Sequence, residues 1–263
     1  MSNKAIPVYA WFVPLAPLGL ALAIYLGEFQ SRSFLFINQL TQALPDTLWA
    51  WFTFLGNGWG IFAITFPLLL LAPRIMTAGI FAGAISAVTS PGLKNFFDLP
   101  RPASVLDNGS FYRLGEPLLH KAFPSGHTLT AFAITTALYF ACDKNKRGPM
   151  SFLFIVAALV GLSRNAVGAH WLTDVLGGAG FGIWCGILGA IFASYIPEKF
   201  LAPKSIWLRL IALGGVAAIY AHLTQIMDHE LNLPLQFASI AIITITLLMF
   251  IKAQFNSSPS KLD

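Results

Sequence analysis

SRNAVGAHWLTDVLGGAGFGIWCGILGAIFASY, Ser163 to Tyr195, changes character at Asp174. Before it stand Arg164 and His170; after it no charged residue occurs through Tyr195. An apolar run of about 20 residues is what an α-helix needs to cross a bilayer. A membrane crossing is therefore expected over 174–195, with the charged neighbours at one membrane face. Gly177, Gly178, Gly180, Gly182, Gly186 and Gly189 suit close helix packing, through small-xxx-small pairs at 178/182 and 182/186.

Working outward, further apolar segments are read at about 8–27, 48–72, 75–97, 125–142, 150–167, 206–222 and 235–251. Hydrophobic residues make up 56% of the 263-residue chain and charged residues 10%, too little polar surface for a water-soluble globule. The expected class is all-α, a polytopic transmembrane helix bundle forming one integral domain over 1–263. Segment 8–27 contains Pro14 and Pro17 and no small-residue cleavage site follows it, so it reads as an uncleaved anchor. Residues 28–46 are amphipathic and suit a helix at the interface, while the Ser-rich tail 256–263 reads as disordered.

With the N-terminus inside, eight crossings put ten of the sixteen basic residues inside, including Arg74, Lys144, Lys146 and Arg147. Both termini are then cytoplasmic and the polar runs face outward. The net charge of +5 is spread over loops, with no basic, aromatic-interleaved stripe for nucleic acid. Cys142 and Cys185 lie within or at the end of apolar segments and read as packing residues.

Three polar runs lie where apolar segments meet outer loops: KNFFDLPRP (Lys94–Pro102), PSGH (Pro124–His127) and SRNAVGAHWLTD (Ser163–Asp174). A charge within the bilayer is costly, and Lys94 and Arg101 could together hold an anion; taken alone, they could equally be snorkelling helix-end cations. PSGH places Pro124 for a first helical turn and leaves N–H groups of a helix N-terminus free for phosphate, with Ser125 and Gly126 close by and His127 able to carry a proton. Alone, that run would also read as a cap with an interfacial histidine. In the third run Asp174 lies one turn beyond His170, where a carboxylate can orient an imidazole for attack, although a buried ion pair capping the helix would look the same.

Together these signatures closely resemble the type 2 phosphatidic acid phosphatase family, membrane lipid phosphatases sharing a phosphate pocket with vanadium haloperoxidases and bacterial acid phosphatases. The resemblance covers residues 94–174 and implies a phosphatase-like core at about 48–195, beyond which 206–251 forms an extra transmembrane pair. It implies that Lys94, Arg101, Ser125, Gly126 and Arg164 hold the phosphoryl oxygens. His170 would be the nucleophile, Asp174 its partner, and His127 the acid that protonates the leaving oxygen. The implied reaction passes through a phosphohistidine and uses no metal or other cofactor; the sequence has no GxxxxGK[ST], CxxC or HExxH motif.

The expected partners are a lipid phosphate and the bilayer, in a bacterial inner membrane with the site facing the periplasm. Undecaprenyl diphosphate is the first substrate choice, with phosphatidylglycerol phosphate, phosphatidic acid and lipid A phosphate as others. Phosphotransfer to a lipid acceptor is a related reading. A transporter or scramblase is a different one, weakened because the charges gather at one face instead of mid-membrane. Asp228, His229 and Glu230 read as a solvated loop, as do His120 and Lys121. Trp49, Trp51, Trp59 and Trp171 read as an interfacial belt, and Asn108-Gly109-Ser110 matches a glycosylation acceptor.

Overall fold

The computed structural model describes residues 6–107 and 109–256. The acceptor asparagine at 108 and the tail from 257 lie outside the described residues. No strand occurs among those described.

After a 3₁₀ turn at Val8–Trp11 come α1 (Leu15–Leu26), α2 (Gln30–Thr41), α3 (Asp46–Gly56), α4 (Gly58–Thr65), α5 (Leu68–Leu71) and α6 (Pro73–Phe97). Then follow α7 (Pro102–Val105), α8 (Gly126–Ala141), α9 (Arg147–Met150), α10 (Phe152–Ala166), α11 (Leu172–Ser194), α12 (Ile206–Thr224) and α13 (Leu233–Asn256). Among the described residues six stretches are long and apolar enough to cross a membrane: Val8–Leu26, Pro73–Val105, Lys144–Ala166, Leu172–Ser194, Ile206–Thr224 and Glu230–Phe255.

Two of the eight expected crossings differ. The 48–72 segment is broken into α3, α4 and α5, because the Asn57 side chain accepts the Trp59 N–H at 3.0 Å and caps a new helix, and Pro67 lies between α4 and α5. The 125–142 segment is one 16-residue helix, about 24 Å long and shorter than a hydrocarbon core of about 30 Å. Pro124 precedes it and lies outside its first turn.

The centre is the mutual packing of α6, α8 and α11. Small residues fill it: Ala78 and Ala82 of α6, Ala133 and Ala137 of α8, and Cys185 of α11. A Cβ at Gly178, Gly182 or Gly186 would come under 3.0 Å from the α8 carbonyl oxygens of Ser125, Leu129 or Ala133 in turn, so those glycines set the separation of the two helices. Cys142 and Cys185 are both buried.

The C-terminal pair packs on a different surface. Leu208, Ile211, Ile243 and Phe250 of α12 and α13 meet Ala63, Phe66 and Leu69 of the broken segment.

The amphipathic 28–46 stretch forms α2 and turns inward. Its buried Phe34 lies edge-on to Phe111 and Trp171, at 5.2 and 5.3 Å between centroids. Asn38 donates to the carbonyls of Tyr112 and Asn165, each at 2.9 Å, and accepts the Tyr112 N–H at 2.8 Å. Trp49 and Trp171 depart from the expected belt. Both are interior, and their indole N–H groups donate to Thr41 O at 2.9 Å and Pro100 O at 2.8 Å; Trp51 and Trp59 are exposed.

Candidate active site

The chain direction alternates so that the C-terminal ends of α6 and α10 and the N-terminal ends of α8 and α11 lie at one end of the bundle. Lys94, Ser125–His127, Arg164, His170 and Asp174 are thereby gathered. Arg101 reaches the same place from beyond α6: Asp98 adopts a left-handed φ of 39°, the helix ends, and α7 restarts at Pro102.

His170 Nδ1 is 3.1 Å from Asp174 Oδ2, and its Nε2 is 3.2 Å from Arg101 Nη1. A guanidinium only donates hydrogen bonds, so Nε2 accepts and carries its lone pair, and the ring proton sits on Nδ1, directed to the carboxylate. Asp174 also accepts the Trp171 N–H at 2.9 Å, and its own carbonyl accepts the Ser125 N–H at 2.9 Å, which ties the start of α11 to the start of α8. Asn165 Nδ2 donates to His170 O at 2.7 Å. His170 is 2% exposed; burial first, then the cations of Arg101, Arg164 and Lys94, push its pKa well below 6.5.

The cations are tethered by backbone carbonyls. Arg101 Nε donates to His120 O at 2.8 Å and Nη1 to Ala169 O at 3.0 Å, while Lys94 Nζ donates to Lys121 O at 2.9 Å. His120 and Lys121, expected as solvent-facing residues, thus hold the site through their main chain. Arg164 is 6% exposed, donates from Nη1 to Thr53 Oγ1 at 3.2 Å, and its buried Nε has no protein partner. An unpartnered buried guanidinium N–H suits an incoming anion.

Ser125 is fully buried and its Oγ accepts from Thr128 Oγ1 at 3.0 Å, which leaves its own hydroxyl hydrogen for another acceptor. Gly126 keeps the space beside Lys94 open: a Cβ there would lie 3.1 Å from Ser90 Oγ and 3.9 Å from Lys94 Cε. All eight residues singled out in the sequence meet at this site.

Three more residues belong to it. Thr53 and Asn57 come from α3 and its end, and Asp228 comes from the loop between α12 and α13. Asp228 Oδ1 is 2.8 Å from His127 Nε2, and Asn57 Nδ2 donates to its Oδ2 at 2.9 Å. The solvated-loop expectation for Asp228 is therefore corrected: its side chain is 18% exposed and engaged on both oxygens. Burial alone would raise its pKa; His127, then Arg164 and Asn57, outweigh that and hold it at about 2. No local sequence motif could have revealed this, since 101 residues separate the partners.

Beside the site lies a cavity of about 210 Å³ bordered by Thr53, Arg113, Glu116, Arg164 and Asp228. A second, apolar cavity of about 570 Å³ lies among α4, α6 and α8, bordered by Phe62, Met76, Ile80, Ala87 and Thr130. The arrangement offers an anion a nest of three cations between two imidazoles, each held by its own carboxylate.

Residues 68–200 match the family described as the PAP2 superfamily. The chain is 32% identical to the crystal structure of Aquifex aeolicus LpxE, covering 61% of this chain and 94% of that one with a TM-score of 0.53. It is 43% identical over 70 residues to a lipid A 1-phosphatase of Porphyromonas gingivalis, covering 26% of this chain and 15% of that protein. It is 36% identical over 77 residues to phosphatidylglycerophosphatase B of Bacillus subtilis, covering 26% and 38%. The chain spans less than half the length of the curated relatives it matches. With the matched region covering half the sequence and containing all three polar runs, this chain belongs to the PAP2 superfamily of helical, integral membrane proteins.

Proposed function

We propose that this protein is a membrane lipid phosphatase hydrolysing a phosphate or diphosphate monoester through a phosphohistidine. The observation that carries the reading is His170, buried between Asp174 on Nδ1 and Arg101 on Nε2. Its lone pair attacks phosphorus in line, and the bond from phosphorus to the leaving oxygen breaks. His127 gives that oxygen a proton, then takes one from the water that attacks the phosphohistidine, and the P–N electron pair returns to His170. Lys94, Arg101 and Arg164, with Ser125 and the N–H groups at the start of α8, stabilise charge on the equatorial oxygens.

The apolar cavity supports a lipid substrate. It ends at Thr130, one turn along α8 from His127, and follows α6 from Met76 to Ala87, about 16 Å of helix. The names of the relatives favour lipid A and phosphatidylglycerol phosphate over the undecaprenyl diphosphate expected from sequence. The site faces the periplasmic side of a bacterial inner membrane, with both termini cytoplasmic, in keeping with the excess of basic residues at the other end.

The test is inorganic phosphate released by the purified protein from lipid A, phosphatidylglycerol phosphate, phosphatidic acid and undecaprenyl diphosphate. Release that survives EDTA and is blocked by vanadate is expected. No release from any of the four, or appearance of the phosphate only on a lipid acceptor, refutes hydrolysis.

A further inference from the structure

We propose that Asp228 is a positioning residue for His127, so that the α12–α13 loop supplies the general acid with a carboxylate as Asp174 supplies the nucleophile. This rests on the phosphatase reading above and goes beyond it, since Asp228 lies outside both the three polar runs and the matched 68–200 region.

The placement is built, not incidental. Asp228 adopts a left-handed φ of 62°, uncommon outside glycine but accessible to aspartate, and this turns its side chain toward His127 and Asn57. The loop is fixed by buried amides of the following helix: Gln236 Oε1 accepts the Met227 N–H at 3.1 Å, Gln236 Nε2 donates to Gln225 O at 2.8 Å, and Asn232 Nδ2 donates to Met227 O at 2.9 Å. Asn57 clamps the second carboxylate oxygen. Gly56, one residue earlier, lets α3 approach: a Cβ there would lie 2.8 Å from His127 Cβ.

The charges around His127 explain what the carboxylate does. Arg164 of α10, Lys94 of α6 and the imidazole of His170 lie within electrostatic reach, and Asp228 is the opposing charge. Two cations disfavour an imidazolium, and a carboxylate on Nε2 favours it. With Nε2–H held by Asp228, Nδ1–H passes its proton to the leaving oxygen as the phosphorus–oxygen bond breaks. In the second half Nδ1 recovers a proton from the attacking water, and Asp228 remains ionised throughout.

The test uses the full chain in detergent and two esters: dioctanoyl phosphatidic acid, whose alkoxide must be protonated, and p-nitrophenyl phosphate, whose leaving group needs no acid. Asp228→Asn should lower kcat on phosphatidic acid on the order of tenfold more than on p-nitrophenyl phosphate, with KM little changed. The basic limb of its pH profile should move to lower pH, and Asp228→Glu should restore that limb. In a His127→Ala background Asp228→Asn should cost nothing further. Equal losses on both esters, an unmoved basic limb in Asp228→Asn, no restoration by Asp228→Glu, or undiminished loss in the His127→Ala background each overturn the pairing. Where wild type does not cleave phosphatidic acid, the most rapidly cleaved of lipid A and phosphatidylglycerol phosphate takes its place as the alkoxide ester; wild type inactive on all of these refutes the phosphatase reading itself, whereas active wild type with any of those patterns refutes the pairing alone.

Discussion

At the scale of single residues, the tautomer of His170 is the feature on which the proposed chemistry turns. Arg101 can only donate, so the lone pair is on Nε2 only while Asp174 accepts from Nδ1. Asp174→Asn can reverse that: an amide can donate to Nδ1, move the ring proton to Nε2 and mask the proposed nucleophile. Turnover should fall about a thousandfold in Asp174→Asn, and at least as far in His170→Ala, with unfolding temperatures near wild type. Single-turnover phosphate release measures both. The pH dependence has a defined sign. As the proposed nucleophile His170 must act unprotonated, and its pKa is pushed well below 6.5, so activity should be retained as pH falls through 6.5 and lost only when pH approaches the lowered value. An acid limb centred near 6.5 in kcat/KM would contradict this assignment. These residues were legible in sequence because each sits in a short polar run at the end of an apolar segment. Asp228 and Thr53 were not, because their partners His127 and Arg164 lie 101 and 111 positions away and no local spacing connects them.

At the scale of elements, the site depends on how closely α11 lies against α8. Ser125 N–H reaches Asp174 O at 2.9 Å only because glycines line the shared face. Gly182→Val would bring a Cβ under 3.0 Å from Leu129 O and Phe132 Cβ, and overpacking of this kind costs about 1–3 kcal/mol. Its unfolding temperature and activity should fall together. Gly92→Ala on α6 is the matched contrast: nothing lies within 4 Å of the added Cβ, and alanine favours the helix, so stability should hold or rise. Thermal unfolding in detergent compares the two. The glycine pattern was readable from the small-xxx-small spacing alone. The break in the 48–72 segment had a signal too, in Gly56-Asn57-Gly58 followed by Pro67, but its continuous apolar character masked those helix-ending residues. The break matters, since it turns Asn57 toward Asp228 and leaves α4 and α5 as the surface on which the C-terminal pair packs.

At the scale of the whole molecule, every group proposed for chemistry lies at one end of the bundle, and the opposite end carries a different set of contacts. There Arg74 donates to Ala193 O and Ile196 O and pairs with Glu198 at 2.8 Å, joining the start of α6 to the end of α11. The two ends can be told apart by labelling. Glu116 is exposed beside the site, Lys144 is exposed at the far end, and the native Cys142 and Cys185 are 1% and 4% exposed and should stay silent. In intact cells, a membrane-impermeant maleimide should label Glu116→Cys directly and Lys144→Cys only after permeabilisation. The proposed orientation is argued from the distribution of basic residues: the far end holds Arg74, Lys144, Lys146, Arg147, Lys199, Lys204 and Arg209, and positively charged loops are retained on the cytoplasmic side. Labelling of Lys144→Cys alone in intact cells would reverse the orientation, put the phosphate site in the cytoplasm, and require a substrate drawn from the inner leaflet.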